Sequence, residues 1–229
     1  MEKHTIATKS LSRFMQIFDA SFPSGVFVHS FGLEPHIVLE KVSDIDELKQ
    51  YLLNLIKYQY QKLEFVFVKN VYKYLESKNL NALIKENKNF FAMQNYEFSK
   101  ASKTIGANYL KQISFDIKKE IVKNYFLSIK EGKSIGNELA VLSAYAYELD
   151  IDKDTFLAIW CKKNLINIAT SALKISRIKP SDIQKILFEF DDILEEMVES
   201  KAKNISNFNP LFEEVIYQHP QLEPKLFTT

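Results

Sequence analysis

The chain has 229 residues, 46% hydrophobic and 26% charged, which suits a folded protein with one substantial core and excludes a disordered chain. Its formal net charge of +1 leaves no whole-chain electrostatic case for nucleic acid or an anionic membrane. One cysteine, Cys161, excludes an internal disulfide framework, so the expectation is a soluble cytoplasmic protein.

Met1 to Ser10 is polar and no signal-peptide pattern follows it. No apolar run approaches the roughly 20 residues of a membrane helix. The first element is an amphipathic run, Leu11, Phe14, Met15 and Phe18, that ends at the turn Phe22-Pro23-Ser24-Gly25. Pro23 stops the helix, Gly25 permits the bend, and Gly32-Leu33-Glu34 opens a new element with a carboxylate at its N-terminus. From His36 to Ile105 there is neither glycine nor proline, a spacing foreign to sheet proteins.

Asp44 with Glu47 reads as a capping box, followed by Ile45, Leu48, Leu52, Leu55, Ile56 and Leu63 at helical spacing. Phe65-Val66-Phe67-Val68 could pass for a strand, but it runs on to Val71, Tyr72 and Leu75 without a turn signal and reads as buried helix. A polar break at Ser77–Asn81 precedes helices over about 83–93 and 97–113. Asp116 is the expected cap of the next helix, which carries Ile117, Ile121, Phe126 and Ile129 and stops at Gly132. Ser134 or Asn137 starts a small-residue helix, Asp152 caps a long one, and Pro180 starts the most regular pattern, from Ile183 to Val198. Pro210 begins a last short helix. The sum is an all-α chain of roughly nine or ten helices in a single domain over 1–229, with flexible ends at 1–9 and 219–229.

Little in this chain points to catalysis. Glu131-Gly132-Lys133-Ser134 ends like a phosphate-binding loop, but position 127 is Leu where that loop needs glycine, and the preceding segment reads as helix. Four histidines (His4, His29, His36 and His219) and one cysteine form no metal-ligand motif, which leaves at most a weak exposed site through His36 or His219 with a nearby carboxylate. Cys161 sits mid-helix with no base placed for it and reads as a small buried side chain. The acidic stripe Asp191, Asp192, Glu195 and Glu196 reads as a solvated helix face that could also meet a basic partner. The residues alone leave two readings open, a binding adaptor and, with far less support, an enzyme using Cys161 or the acidic stripe.

One stretch resembles a known family. Ser21, Pro23, Gly25, Phe27, Ser30, Gly32, Leu33 and Glu34 match the N-terminal signature of the UreF family of urease accessory proteins. Weaker likeness continues through Glu97, Gly106 and Leu110, through Ala172–Leu187, where Asp182 and Gln184 match, and through Phe208, Pro210, His219, Leu226 and Phe227. Lys174 and Lys225 stand where the family has arginine, and lysine lacks arginine's bidentate fork. Asn137-Glu138-Leu139 and Ser143 stand where many members have a His-x-Pro-x-x-x-Gly segment.

The resemblance implies an all-α, non-enzymatic accessory protein acting in nickel insertion into urease, while the residues themselves give no cofactor and no metal site. It implies a homodimer that scaffolds a UreD/UreH-like protein and a UreG-like GTPase on apo-urease for nickel insertion and regulates that GTPase. The expected partner-binding residues are Phe27, His29, Ser30, Glu34, Lys174, Asp182, Gln184, Phe208, His219, Lys225, Leu226 and Phe227, with Pro23, Gly25 and Gly32 as turn residues. Leu211 and Phe212 are further candidate anchors. The Pro220–Thr229 tail is expected to order on a partner, so truncation after Gln218 should weaken binding and leave thermal stability nearly unchanged. The competing expectation is a generic all-α adaptor unrelated to urease.

Overall fold

Side-chain caps set several of the helix starts, those at Ile45, Leu80, Tyr96, Glu138 and Lys153. The computed structural model describes residues 6–19, 21–25, 29–199, 205–207 and 210–228, with the backbone alone for 210–212. Its helices are α1 (Thr8–Phe18), α2 (Leu33–Val38), α3 (Ile45–Asn54), α4 (Glu64–Glu76), α5 (Leu80–Met93) and α6 (Tyr96–Ile113). They continue with α7 (Glu120–Lys130), α8 (Glu138–Glu148), α9 (Lys153–Ile175), α10 (Pro180–Val198) and α11 (Pro210–Ile216). Leu55–Tyr60 continues α3 as a π-helix, and His219–Gln221 forms a 3-10 turn. No strand occurs among the described residues, and the chain is all-α, Phe65–Val68 included.

Asp44 accepts the Glu47 N–H at 2.9 Å while the Glu47 carboxylate reaches back to the Ser43 N–H at 2.7 Å, a variant of the capping box in which the carboxylate meets the residue before the cap. Asp152 accepts from the N–H groups of Asp154 and Thr155 at the start of α9, and Asn137 accepts the Ala140 N–H at 2.8 Å at the start of α8. At the end of α7 the Gly132 N–H bonds the Ile129 carbonyl and the Lys133 N–H bonds the Ser128 carbonyl at 2.8 Å, a Schellman ending. That geometry, after a helix, disposes of the phosphate-loop resemblance at Gly132-Lys133-Ser134.

One expected cap is corrected. Asp116 caps nothing, because its carboxylate pairs with Arg13, and α7 begins at Glu120. The Glu148 carboxylate accepts the N–H groups of Lys118 and Lys119 instead, at 2.8 and 2.9 Å.

The described chain divides into two compact units that interleave in sequence. The first takes 1–25, 67–94 and 99–156, and the second takes 26–66, 95–98 and 157–229. The first is built around α8, whose residues Glu138 to Ala146 are all buried, as a helix needs when it is surrounded by others. α7 packs on α5 and α8, and Phe67 stacks on Phe90 with ring centroids 3.9 Å apart. In the second unit α10 packs on α3 and buries Ile183, Ile186, Leu187, Phe190 and Leu194, and α11 packs on α2. The π-helix turns Leu55, Ile56, Gln59 and Tyr60 all inward, and Gln61 N bonds the Ile56 carbonyl at 2.9 Å.

Candidate functional site

The signature that stood out in the sequence falls in both units. Its first part, to Gly25, belongs to the first unit, where Asn108 donates to the Ser24 carbonyl at 3.0 Å and Phe22 stacks on Tyr109. Its second part, from His29 to Glu34, belongs to the second unit and carries the site.

Gly32 sits at φ 87 as the N-cap of α2, a left-handed conformation that suits glycine alone among common residues at low cost. A Cβ there would also lie 3.0 Å from Ile216 of α11. Three groups hold this turn. Ser30 Oγ accepts the Glu34 N–H at 3.2 Å, His36 Nδ1–H donates to the Gly32 carbonyl at 2.6 Å, and the Tyr51 hydroxyl donates to the Phe31 carbonyl at 3.1 Å. The His36 and Tyr51 rings meet edge to face at 4.8 Å. Burial holds the His36 imidazole below its usual range, with the Gly32 carbonyl pulling the other way, and pushes the Tyr51 phenol up.

The turn exists to place one carboxylate. Glu34 is 1% exposed, and His219 Nε2 donates to it at 2.8 Å. The Leu226 and Phe227 N–H groups donate to the same carboxylate at 2.6 and 3.2 Å. A buried carboxylate is tolerable only when its lone pairs are filled in this way. Phe227 is buried, and Lys174 of α9 lies over its ring at 5.2 Å, a cation–π contact. The sequence expectation left 219–229 loose, whereas the structure clasps the described part of it, 219–228, to Glu34. The reason is an acceptor 185 residues away from His219 in sequence.

The clasp therefore gathers Ser30, Gly32, Glu34, Lys174, His219, Leu226 and Phe227 from the expected set. Of these, Lys174 and Leu226 face solvent, and Lys225 beside them is also exposed. His29 is buried beside Phe31, with ring centroids 5.8 Å apart. Asp182 is half-buried and Gln184 exposed on the first turns of α10. Phe27 and Phe208 lie outside the described residues, as do the side chains of Leu211 and Phe212.

As chemistry, the site offers binding and little else. Every Glu34 oxygen already accepts hydrogen bonds. Among the described residues no three His, Cys, Asp or Glu side chains converge as a metal site would need. Cys161 is fully buried, and burial pushes its thiol up and away from the thiolate. The acidic stripe faces solvent, with Asp191 paired to Lys162 at 2.5 Å.

Glu64 is the electrostatic outlier. Its Oε1 accepts from Gln59 at 3.2 Å and its Oε2 has no hydrogen-bond partner among the described residues. Burial pushes its carboxyl up to about 7 from the ordinary 4.5, against the smaller pull of Gln59. Between those values the folded state holds the proton that the unfolded state has lost, so stability falls as pH rises from 4.5 to about 7. Glu64→Gln should therefore match the wild type at pH 4 and exceed its stability by about 2 kcal/mol at pH 8. Urea unfolding at both values checks this, and an equal effect at the two pH values would refute it. His29 works in the opposite sense, because burial holds it down at about 4, so stability is lost as pH falls from 6.5 toward that value.

The sequence model of the UreF family matches residues 42–191. The chain belongs to the UreF family. The match begins beyond Glu34, so membership stands on the helical body independently of the turn that first suggested it. Relatives agree over most of their length. The urease accessory protein UreF of Bacillus sp. (strain TB-90) is 26% identical over 217 residues, covering 93% of this chain and 96% of its own. UreF of Ureaplasma urealyticum is 28% identical over 190 residues, covering 80% of each chain, and that of Streptococcus salivarius 23% over 186 residues, covering 81% of this chain and 78% of its own. Within the matched residues, a buried polar knot surrounds the start of α8. Asn87 bonds Tyr125, the Ile135 carbonyl and Asn137, and Ser102 Oγ accepts the Glu138 N–H at 3.1 Å.

Proposed function

We propose that this protein is a non-enzymatic urease accessory protein that works in the cytoplasm as a single domain and as a homodimer. In this reading it scaffolds a UreD/UreH-like protein and a UreG-like GTPase on apo-urease and regulates the GTPase, with nickel as the cargo of the assembly. The observation that carries the reading is likeness to named urease accessory proteins over nearly the whole of both chains.

The physical role follows from how a scaffold works. Holding two partners on one body turns their second encounter into an intramolecular one, at an effective concentration far above that in solution. Such a body needs rigid surfaces rather than reactive groups. The buried members Ser30, Glu34, His219 and Phe227 set the position of the tail, and the exposed Lys174, Gln184, Lys225 and Leu226 offer the contacts. Leu226, 61% exposed on a backbone held by Glu34, is the anchor we assign to the UreD/UreH-like partner.

Deleting the gene in its host tests the reading. Urease should accumulate without nickel and recover both metal and activity when the gene is restored. Unchanged nickel content of urease in the deletion strain would end the proposal. Purification of the tagged chain with partners unrelated to urease would favour a generic adaptor.

A further inference from the structure

The buried contact between the π-helix and α9 carries two unsatisfied polar atoms. Glu64, 4% exposed where α4 begins, has one carboxyl oxygen bonded by Gln59 and the other without a partner among the described residues. Trp160 of α9, 6% exposed, packs its ring on Tyr60 of the π-helix with centroids 5.0 Å apart. Its Nε1–H has no partner among the described residues either. Burial, and then the charge of Glu64, push the thiol of the next residue, Cys161, up, which puts Glu64 and Cys161 within electrostatic reach. Buried polar atoms left unpaired weaken a contact, and weak contacts are where a fold opens locally.

One residue ties the junction together. The Gln59 carbonyl accepts the N–H groups of Lys62 and Leu63 at 3.1 and 2.8 Å, and its side chain donates to Glu64. The Lys62 carbonyl in turn accepts the Ser206 N–H at 3.0 Å, so the segment 205–207, which precedes α11, rests on the same turn. The π-helix ends here, and such segments are rare and frequent at functional sites. All of these residues lie within the second unit.

Glu64 has no counter-ion among the described residues. The groups that act on its carboxyl besides burial are Gln59 and its own N–H, and neither is charged. Lys57 on the π-helix and Lys62 on the turn are exposed. On α9, Lys162 is engaged by Asp191 and the Leu187 carbonyl. An ionised Glu64 is then a buried charge without a partner, and the relief open to it is water.

We propose that Glu64 is a proton-held latch: protonated, it keeps the junction of the π-helix and α4 closed on α9 and on the 205–207 segment, and ionised, it opens that junction while the rest of the fold persists. Opening frees the Lys62 carbonyl from Ser206 and bares Cys161. The closed form keeps its proton up to about pH 7 and the open form releases it above 4.5, so opening grows with pH between those values and levels off above them. The latch stands apart from the urease reading, because it concerns the motion of this chain alone.

Cys161, the one cysteine of the chain, is the reporter. Its rate of reaction with dithiodipyridine in the full chain is measured from pH 5 to pH 7 and divided by that of the urea-unfolded chain at the same pH. The ratio should rise about 40-fold across the range. In Glu64→Gln it should stay level. Global unfolding carries the same proton linkage, and urea separates the two: a local opening exposes little surface and responds weakly to low urea. Hydrogen exchange of the Ser206 amide, corrected for its intrinsic rate, should follow the same pH profile. A Cys161 rate with the full urea slope of unfolding, a wild-type profile retained in Glu64→Gln, or a Ser206 amide that exchanges only by global unfolding would overturn the latch. Should Glu64→Gln fail to fold, the urea slope and the Ser206 amide of the wild type decide.

Discussion

Replacing Gly106 by alanine is expected to cost about 4 kcal/mol or to prevent folding. In the interior of α6 an alanine would ordinarily gain about 1 kcal/mol of helix propensity, so the sign is a contest. Sterics win it by a wide margin. A Cβ on Gly106 would lie 2.2 Å from the Gly136 carbonyl oxygen, 2.6 Å from the Asn137 carbonyl carbon and 2.7 Å from the Glu138 nitrogen. All three are backbone atoms, so no side chain can rotate out of the way.

The segment that would have to move is also the best-tied point of the first unit. Asn137 caps α8 and bonds Asn87, and Ser102, one turn before Gly106, accepts the Glu138 N–H. Because α8 is buried all round, displacing its first turn would disturb packing on every side. A melting temperature about 10 °C lower is the expected readout for a chain of this size. A melt within 2 °C of the wild type, taking about 2 °C as the scale of a small effect, would show that α6 and the entry to α8 are not in close contact.

Glu34→Ala should be nearly as damaging, with a different signature. It leaves the His219 ring and the Leu226 and Phe227 N–H groups without their acceptor in a buried place. Losing one partner of a buried pair costs about 3–5 kcal/mol, and each stranded N–H about 1–3 kcal/mol, offset here by release of the tail into water. A net loss of about 3 kcal/mol follows. Hydrogen exchange at the Leu226 and Phe227 amides should become fast, and protease should cut the tail.

Truncation after Gln218 removes the same three donors together with the buried Phe227 ring, so it too should lower stability. The two changes act on one set of contacts, and combining them should cost little more than the larger alone. Unchanged protection of the Phe227 amide in Glu34→Ala would sink the clasp.

Periodicity and caps were legible in the sequence because they are local. Asp44, Asn137 and Asp152 mark helix starts through bonds that reach three residues or fewer, Pro180 marks one through its fixed φ, and Gly132 marks an end by a bond to Ile129. The all-α class follows from those signals, and the family resemblance from a turn whose glycine answers to its own backbone angle. Asp116 failed as a cap for a reason outside its neighbourhood, since Arg13 on α1 takes its carboxylate. The π-helix at Leu55–Tyr60 was equally hidden, because a helix and its one-turn widening share nearly the same apolar spacing.

Burial and pairing over long separations belong to the tertiary structure alone. Nothing in the sequence joins Glu34 to His219, or tells that Met15 faces out while Phe14 faces in, or that Glu64 keeps its proton to about pH 7. Short-range patterns specify which residues can form a helix. Which face of that helix is dry, and which charge ends up beside which donor, depends on elements that arrive from elsewhere in the chain. Hydrogen bonding and desolvation act through space and not along the backbone.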